Sequence, residues 1–146
     1  MIFSPDGRRL AYAAKRGQKQ FVVTDGVEEP EYDLTVEKSM VFTADGTRFG
    51  YIAANVDEGF AVVDGQAGQG YTMIGEGRLV FSRDGKNFAY WASRGGKWFV
   101  VINKAEGKEY DDFGREKLNF SDSNTLQFEA VQDGKTFRIE AELESQ

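Results

Sequence analysis

Phe3-Ser4-Pro5-Asp6-Gly7-Arg8-Arg9-Leu10-Ala11-Tyr12-Ala13-Ala14 returns, varied, as FTADGTRFGYIAA over residues 42–54 and FSRDGKNFAYWAS over residues 81–93. Phe3, Phe42, Phe81 and Phe120 stand 39 residues apart. The later landmarks keep step: FVVTDG at 21–26, FAVVDG at 60–65 and FVVINK at 99–104 are followed by Tyr32, Tyr71 and Tyr110. A fixed period near forty residues, made of short strands and Asp-Gly turns, predicts the blades of a propeller.

The second copy gives the plainest division into strands, because hydrophobic alternation and turn residues bracket each piece. MVFT at 40–43 is followed by a tight turn at Asp45-Gly46. Asp can bond its own downstream backbone there, and Gly accepts a positive φ. FGYIA at 49–53 and FAVV at 60–63 supply two further strands. After Asp64-Gly65 and a Gly-rich loop, YTMI at 71–74 is expected as the fourth. The chain is thus expected to be all-β, a β-propeller array of four-stranded antiparallel blades. Residues 1–146 form a single domain, with blades near 1–36, 37–75, 76–114 and 115–146. The fourth blade is incomplete: Phe120-Ser121-Asp122-Ser123-Asn124 replaces the Asp-Gly turn. Phe128, Phe137 and Ile139 then follow their counterparts by 38 residues, and EAELE at 140–144 precedes the end with no fourth strand. Terminal repeats are atypical because one side lacks a like neighbour, and a charged edge resists unwanted strand pairing.

The second strand of each module has no polar face. Leu10 and Tyr12, Phe49 and Tyr51, Phe88 and Tyr90 project to one side, while Ala11 and Ala13, Gly50 and Ile52, Ala89 and Trp91 project to the other. A strand apolar on both sides must be covered on both, and large residues opposed to small ones let neighbouring sheets mesh. An ordinary two-sheet sandwich is the alternative, disfavoured by the strict period.

With 146 residues, 40% of them hydrophobic and 14% aromatic, the chain has the composition of a folded domain. A net charge of −6, with no basic block, argues against nucleic acid as a partner. No apolar run approaches the length of a membrane span and no signal peptide opens the chain, so it is expected to be soluble with no membrane partner. The absence of cysteine leaves the compartment open.

The Ser-Pro-Asp-Gly module followed by Leu-Ala-Tyr-Ala resembles TolB-like β-propeller repeats, which also occur in the propeller domains of prolyl-oligopeptidase-type hydrolases. The likeness extends over nearly the whole chain and is best over residues 3–13. Ala44 and Arg83 stand in place of Pro5 in the second and third copies, and the fourth loses both Asp and Gly. The resemblance implies binding, gating or scaffolding, with none of the catalytic domain that the hydrolases carry.

Chemistry is restricted by what is missing. With no His and no Cys, a Ser-His-Asp triad, a Cys-His pair and the usual zinc sets cannot be assembled. No cofactor or metal site is expected. Asp6, Asp45, Asp84, Asp25 and Asp64 are explained by turns, and the acids at 28–31 and 111–112 lack the spacing of a calcium loop. Gly65-Gln66-Ala67-Gly68-Gln69-Gly70 lacks the helix and the Lys of a phosphate cradle. Trp91 and Trp98 are assigned to the space between blades.

Sorting charges by connection, the second-to-third and fourth-to-first strand connections collect ten basic against six acidic residues. One mildly basic face is therefore expected, with Arg16, Arg78, Arg94 and Arg115 as candidate contacts for an acidic protein or an anionic ligand. The leading function is a non-enzymatic binding or assembly module. Small residues favour a shallow angle between blades, nearer the roughly 45° of an eight-bladed ring than 90°. Self-association of two chains into one larger ring is expected, and a piece of a longer array would expose the same faces. The alternative function is a carboxylate-dependent glycan-processing enzyme using Asp57 and Glu76.

Overall fold

A computed structural model describes residues 1–75 and 78–143. Four antiparallel sheets follow one another along the chain. The first holds β1 (Ile2–Phe3), β2 (Leu10–Arg16), β3 (Lys19–Thr24) and β4 (Val27–Glu28). The second holds β5 (Leu34–Phe42), β6 (Phe49–Ala54), β7 (Gly59–Val63) and β8 (Gln66–Ala67). In the third, β9 (Met73–Ile74) and β10 (Val80–Phe81) are two halves of one edge strand on β11 (Phe88–Arg94), followed by β12 (Lys97–Ile102) and β13 (Ala105–Glu106). In the fourth, β14 (Asp112–Phe113) and β15 (Asn119–Asp122) share β16 (Thr125–Gln132), which pairs with β17 (Lys135–Glu142). The fourth sheet thus fills three strand positions among the described residues. The all-β array with an incomplete last blade is the architecture expected from the repeats.

Two details of the expected strands change. Asp64 and Gly65 both take positive φ, 52° and 79°, the pair required by a two-residue hairpin turn whose twist matches its strands. The chain therefore returns at once as β8, and the stretch at 65–70 carries the outer strand where a loose loop was expected. YTMI is divided in turn: Tyr71 bridges Gly59 in the second sheet, whereas Met73 and Ile74 already pair with Ser93 and Ala92 in the third. Sheets consequently change hands before residues 36, 75 and 114, because residues 34–36, 73–74 and 112–113 open the next edge strand. Leu34–Val36 on β6 shows the same arrangement in the second blade.

Each first turn is a small hydrogen-bonded unit. The Ser4 hydroxyl donates to Asp6 Oδ1 at 2.7 Å and accepts from the Arg9 amide, while the Arg8 amide donates to Asp6 Oδ1. Thr43 with Asp45, and Ser82 with Asp84, repeat it. These turns satisfy backbone donors that would otherwise be orphaned where strands reverse.

Three apolar cores lie between consecutive sheets. Ala11 and Val22 of the first sheet meet Phe49, Tyr51 and Ala53 of the second. Ile52, Ala61 and Val63 meet Tyr90, Ala92 and Phe99 of the third. Ala89, Trp91 and Val100 meet Leu126, Phe128 and Ala130 of the fourth, with Trp98 packed at the margin. At the first junction the large side chains of one sheet press on the small residues of its predecessor, whereas at the third Trp91 itself meets Phe128 edge to face, with ring centroids 5.3 Å apart. Gly50 marks one close approach: a Cβ there would lie 3.1 Å from Leu79 Cδ1 and 3.2 Å from the Val62 carbonyl oxygen.

Candidate functional site

The four arginines do not converge. Arg16 and Arg94 occupy the same repeat position two blades apart, at the ends of β2 and β11. Each is paired with carboxylates of its own blade. Arg16 reaches Glu28 at 2.8 Å and Glu31 at 3.3 Å, and its guanidinium covers the Phe21 ring. Arg94 grips Glu106 with both terminal nitrogens, at 3.1 and 2.7 Å, and lies over Tyr71 and Phe99. The Arg94 guanidinium, with the Tyr71 hydroxyl behind it, holds the Glu106 carboxyl below its ordinary range. Arg78 and Arg115 are exposed within the irregular middles of edge strands, where the pairing slips between β9 and β10 and between β14 and β15. Glu37, Lys38, Glu116 and Lys117 occupy the equivalent irregular stretches. Arg78 and Arg115, expected in the loops of one face, belong instead to these mid-strand irregularities.

The acids of the alternative reading are not brought together either. Asp57 is exposed in the β6–β7 connection, and Glu76 lies outside the described residues. The acids at 28–31 are engaged by Arg16, Thr24 and Tyr51, and Asp111 is paired with Lys97 at 2.5 Å.

A contact that spacing alone did not reveal joins the blades at the opposite connections. Arg9 bonds Asp25 of its own blade through Nε at 2.8 Å, then reaches the carbonyl oxygens of Gly46 and Thr47 in the next. Arg48 repeats this with Asp64, Gly85 and Lys86, lying over Phe81 and Phe88. At the third junction an amide pair replaces the charges: Asn103 donates to Asn87 Oδ1, and Asn87 donates to the Ser123 carbonyl. The paired change of Arg with Asp into Asn with Asn, at fixed spacing, is the signal in the sequence that marks this latch.

The rim carries a second inter-blade contact and a cleft. Between the first and second blades the Tyr51 hydroxyl donates to Glu29 Oε1 at 2.9 Å, and the Thr24 hydroxyl donates to Glu29 Oε2 at 2.6 Å. Burial pushes the Tyr51 phenol up, and the nearby Glu29 charge adds to it. Between the second and third blades the corresponding space is a cleft of about 600 Å³, lined by Val63, Gly68, Tyr71, Tyr90, Arg48 and Lys104 among others.

The outward face of the first sheet is a further exposed feature. Tyr12 is 38% exposed, whereas its repeat equivalents Tyr51 and Tyr90 are 0% and 3% exposed. Phe3 is 59% exposed where Phe42 is 8%. The outward face of the fourth sheet is polar by contrast: Gln127 bonds Glu140 at 2.7 Å, and Arg138 pairs with Glu116 at 3.8 Å.

No family model matches the chain, and no curated protein matches it. Among solved structures, TolB from Acinetobacter baumannii is similar over 96% of this chain and 39% of its own, at 16% identity and a TM-score of 0.53. Hydrazine synthase from Kuenenia stuttgartiensis is similar over 96% of this chain and 44% of its own, at 19% identity and a TM-score of 0.47. The chain therefore spans less than half the length of either structure. The likeness to TolB establishes a TolB-like propeller fold, the one implied by the Ser-Pro-Asp-Gly modules.

Proposed function

We propose that the chain is a non-enzymatic assembly module, a propeller segment whose first sheet docks against a further blade of the same repeat type. The observation that carries this is Tyr12, exposed at the one position where both internal copies are sealed by a preceding sheet. What seals them defines the partner's chemistry. Ala11 and Val22 form the small-residue wall against Tyr51, and Glu29 on the outer strand receives its hydroxyl. A sheet presenting small apolar residues and a rim carboxylate would cover Phe3, Leu10 and Tyr12 in the same way.

Closure by a second copy, head to tail, would instead seat this face on the fourth sheet, burying Gln127, Arg138 and Glu140 against aromatics. Desolvating those groups opposes that arrangement. Arg78 and Arg115, exposed in the bulges, are the contacts we assign to an acidic partner, since Arg16 and Arg94 already hold carboxylates of their own blades.

The test is a chain with residues 1–39 duplicated in front of Met1, which sets a further blade in register and brings a second Glu29 toward Tyr12. Tyr12→Lys is expected to change the stability of the parent by no more than about 0.5 kcal/mol. In the extended chain the same change should cost about 3 kcal/mol, because a cation then enters an apolar junction. Equal costs in both chains would sink the proposal. So would a stable dimer of the 16.3 kDa parent that light scattering shows to survive Tyr12→Lys.

A further inference from the structure

The three blade junctions carry different residue pairs at one rim position. The first pairs Glu29 with Tyr51, an acceptor with a donor. At the third the equivalent repeat positions hold Gly107 and Phe128, neither an acceptor nor a donor side chain. The second sets Gly68 beside Tyr90, a donor whose acceptor has been deleted.

Tyr90 is only 3% exposed, and its hydroxyl makes no hydrogen bond among the described residues. No fully buried side-chain polar atom of those residues lacks a partner, so this hydroxyl is the part of the ring that opens into the cleft. Burial first, and then the neighbouring Glu106 charge, push its phenol up to about 12, which keeps it protonated and donating at neutral pH.

The space above it has room for the missing side chain. The Gly68 amide donates to the Ala61 carbonyl at 2.9 Å, as the Glu29 amide does to Val22 at 2.8 Å, so the two backbones run alike. A Cβ on Gly68 would stand 3.5 Å from the Tyr90 hydroxyl and 3.5 Å from the Ala61 oxygen, ordinary contacts with nothing to displace. Ala61, Val63 and Val101 give the cleft an apolar wall, while Lys104 and Arg48 add positive charge near Asp64. A volume of about 600 Å³ exceeds one glutamate side chain and falls in the range of small-molecule sites.

We infer that this cleft binds a small carboxylate with an apolar body, its carboxylate taking the hydrogen bond of Tyr90 that Glu29 takes from Tyr51 in the preceding junction. The hydroxyl and Lys104 would fix the head, and the valines would hold the body.

The probe is 4-phenylbutyrate, with its neutral amide as control, titrated against the whole chain by NMR. The carboxylate is expected to bind about tenfold more tightly than the amide, and Tyr90→Phe to weaken it by a similar factor. Gly68→Glu should abolish binding by filling the site from within and should raise the melting temperature by about 4 °C, a gain removed when Tyr90→Phe is added. Equal affinity for acid and amide, or binding that persists in Gly68→Glu, would overturn the inference. A Gly68→Glu gain that survives Tyr90→Phe would overturn it independently, because the hydroxyl would then not be the partner.

Discussion

Arg48 is a side chain whose loss should be felt across a junction as well as within its own blade. Its guanidinium holds Asp64 at 2.9 Å and the Gly85 carbonyl at 2.9 Å while covering two phenylalanine rings. Arg48→Ala should cost about 1–2 kcal/mol in chemical denaturation, the sum of a charge-assisted bond and a partly desolvated stacking contact. Arg48→Lys should recover less than half of it, since an ammonium cannot serve Asp64 and a carbonyl with one planar fork. The turn aspartates act locally. Backbone and hydroxyl donors of Thr47, then Thr43, lower the Asp45 carboxyl from its ordinary 3.8 to about 2, and Asp6 and Asp84 are lowered for like reasons. A folded-state value below the unfolded one stabilises the ionised form. That stability is fully present above about pH 4 and is lost as pH falls toward 2. A denaturation series over that window should show a steeper loss in the parent than in Asp45→Asn; identical slopes would remove Asp45 from the account.

At the scale of the element, the second strand carries most of the fold's information. Gly50→Ala places a methyl 3.1 Å from Leu79 and 3.2 Å from a carbonyl oxygen that cannot move without breaking its ladder. It should cost about 1–3 kcal/mol, whereas Ala11→Gly in the first sheet should cost nearer 1 kcal/mol through entropy and lost packing. This contrast, read by thermal melting of both variants, checks the meshing of large on small directly. The same alternation made the blades legible in the sequence, because period two and the 39-residue interval are local patterns that packing merely uses. The outer strand was not legible: β8 is two residues long, lies in Gly-Gln-Ala-Gly and shows no alternation, so the turn geometry at Asp64-Gly65 carries it. The bulges were hidden for a related reason, since charged residues inside an edge strand look like a loop. Of the candidate arginines, sequence could place Arg16 and Arg94 at strand ends but could not show their carboxylate partners, which come from strands 12 residues onward. The Gly68–Tyr90 mismatch was present in the aligned copies, yet it acquires meaning only beside the bond between Glu29 and Tyr51.

For the whole molecule, the arrangement is a one-dimensional stack in which each core joins only consecutive sheets. Stability in such an array is a sum of blade terms and junction terms, so a blade with two junctions is held more firmly than one with a single junction. The second and third sheets have two each, and their central strands include Tyr51, Ala53, Ala89 and Ala92, all sealed or nearly so. The first sheet has one junction, and Leu10, Tyr12 and Ala14 are at least partly open on its outward side. Amide hydrogen exchange should therefore be slowest in β6, β7, β11 and β12 and faster in β2 and β3, although the β2–β3, β6–β7 and β11–β12 pairings all have regular ladders. Ladder geometry alone predicts equal protection, because hydrogen bonds of the same kind are being opened; junction number predicts a step. Duplicating residues 1–39 in front of Met1 gives the first sheet its second junction, and its exchange should then slow toward that of the second. If protection in β2 and β3 already matches β6 and β7 in the parent chain, the stack is more cooperative than its three separate cores imply, and the outward face of the first sheet has less to gain from a partner than its exposed aromatics indicate.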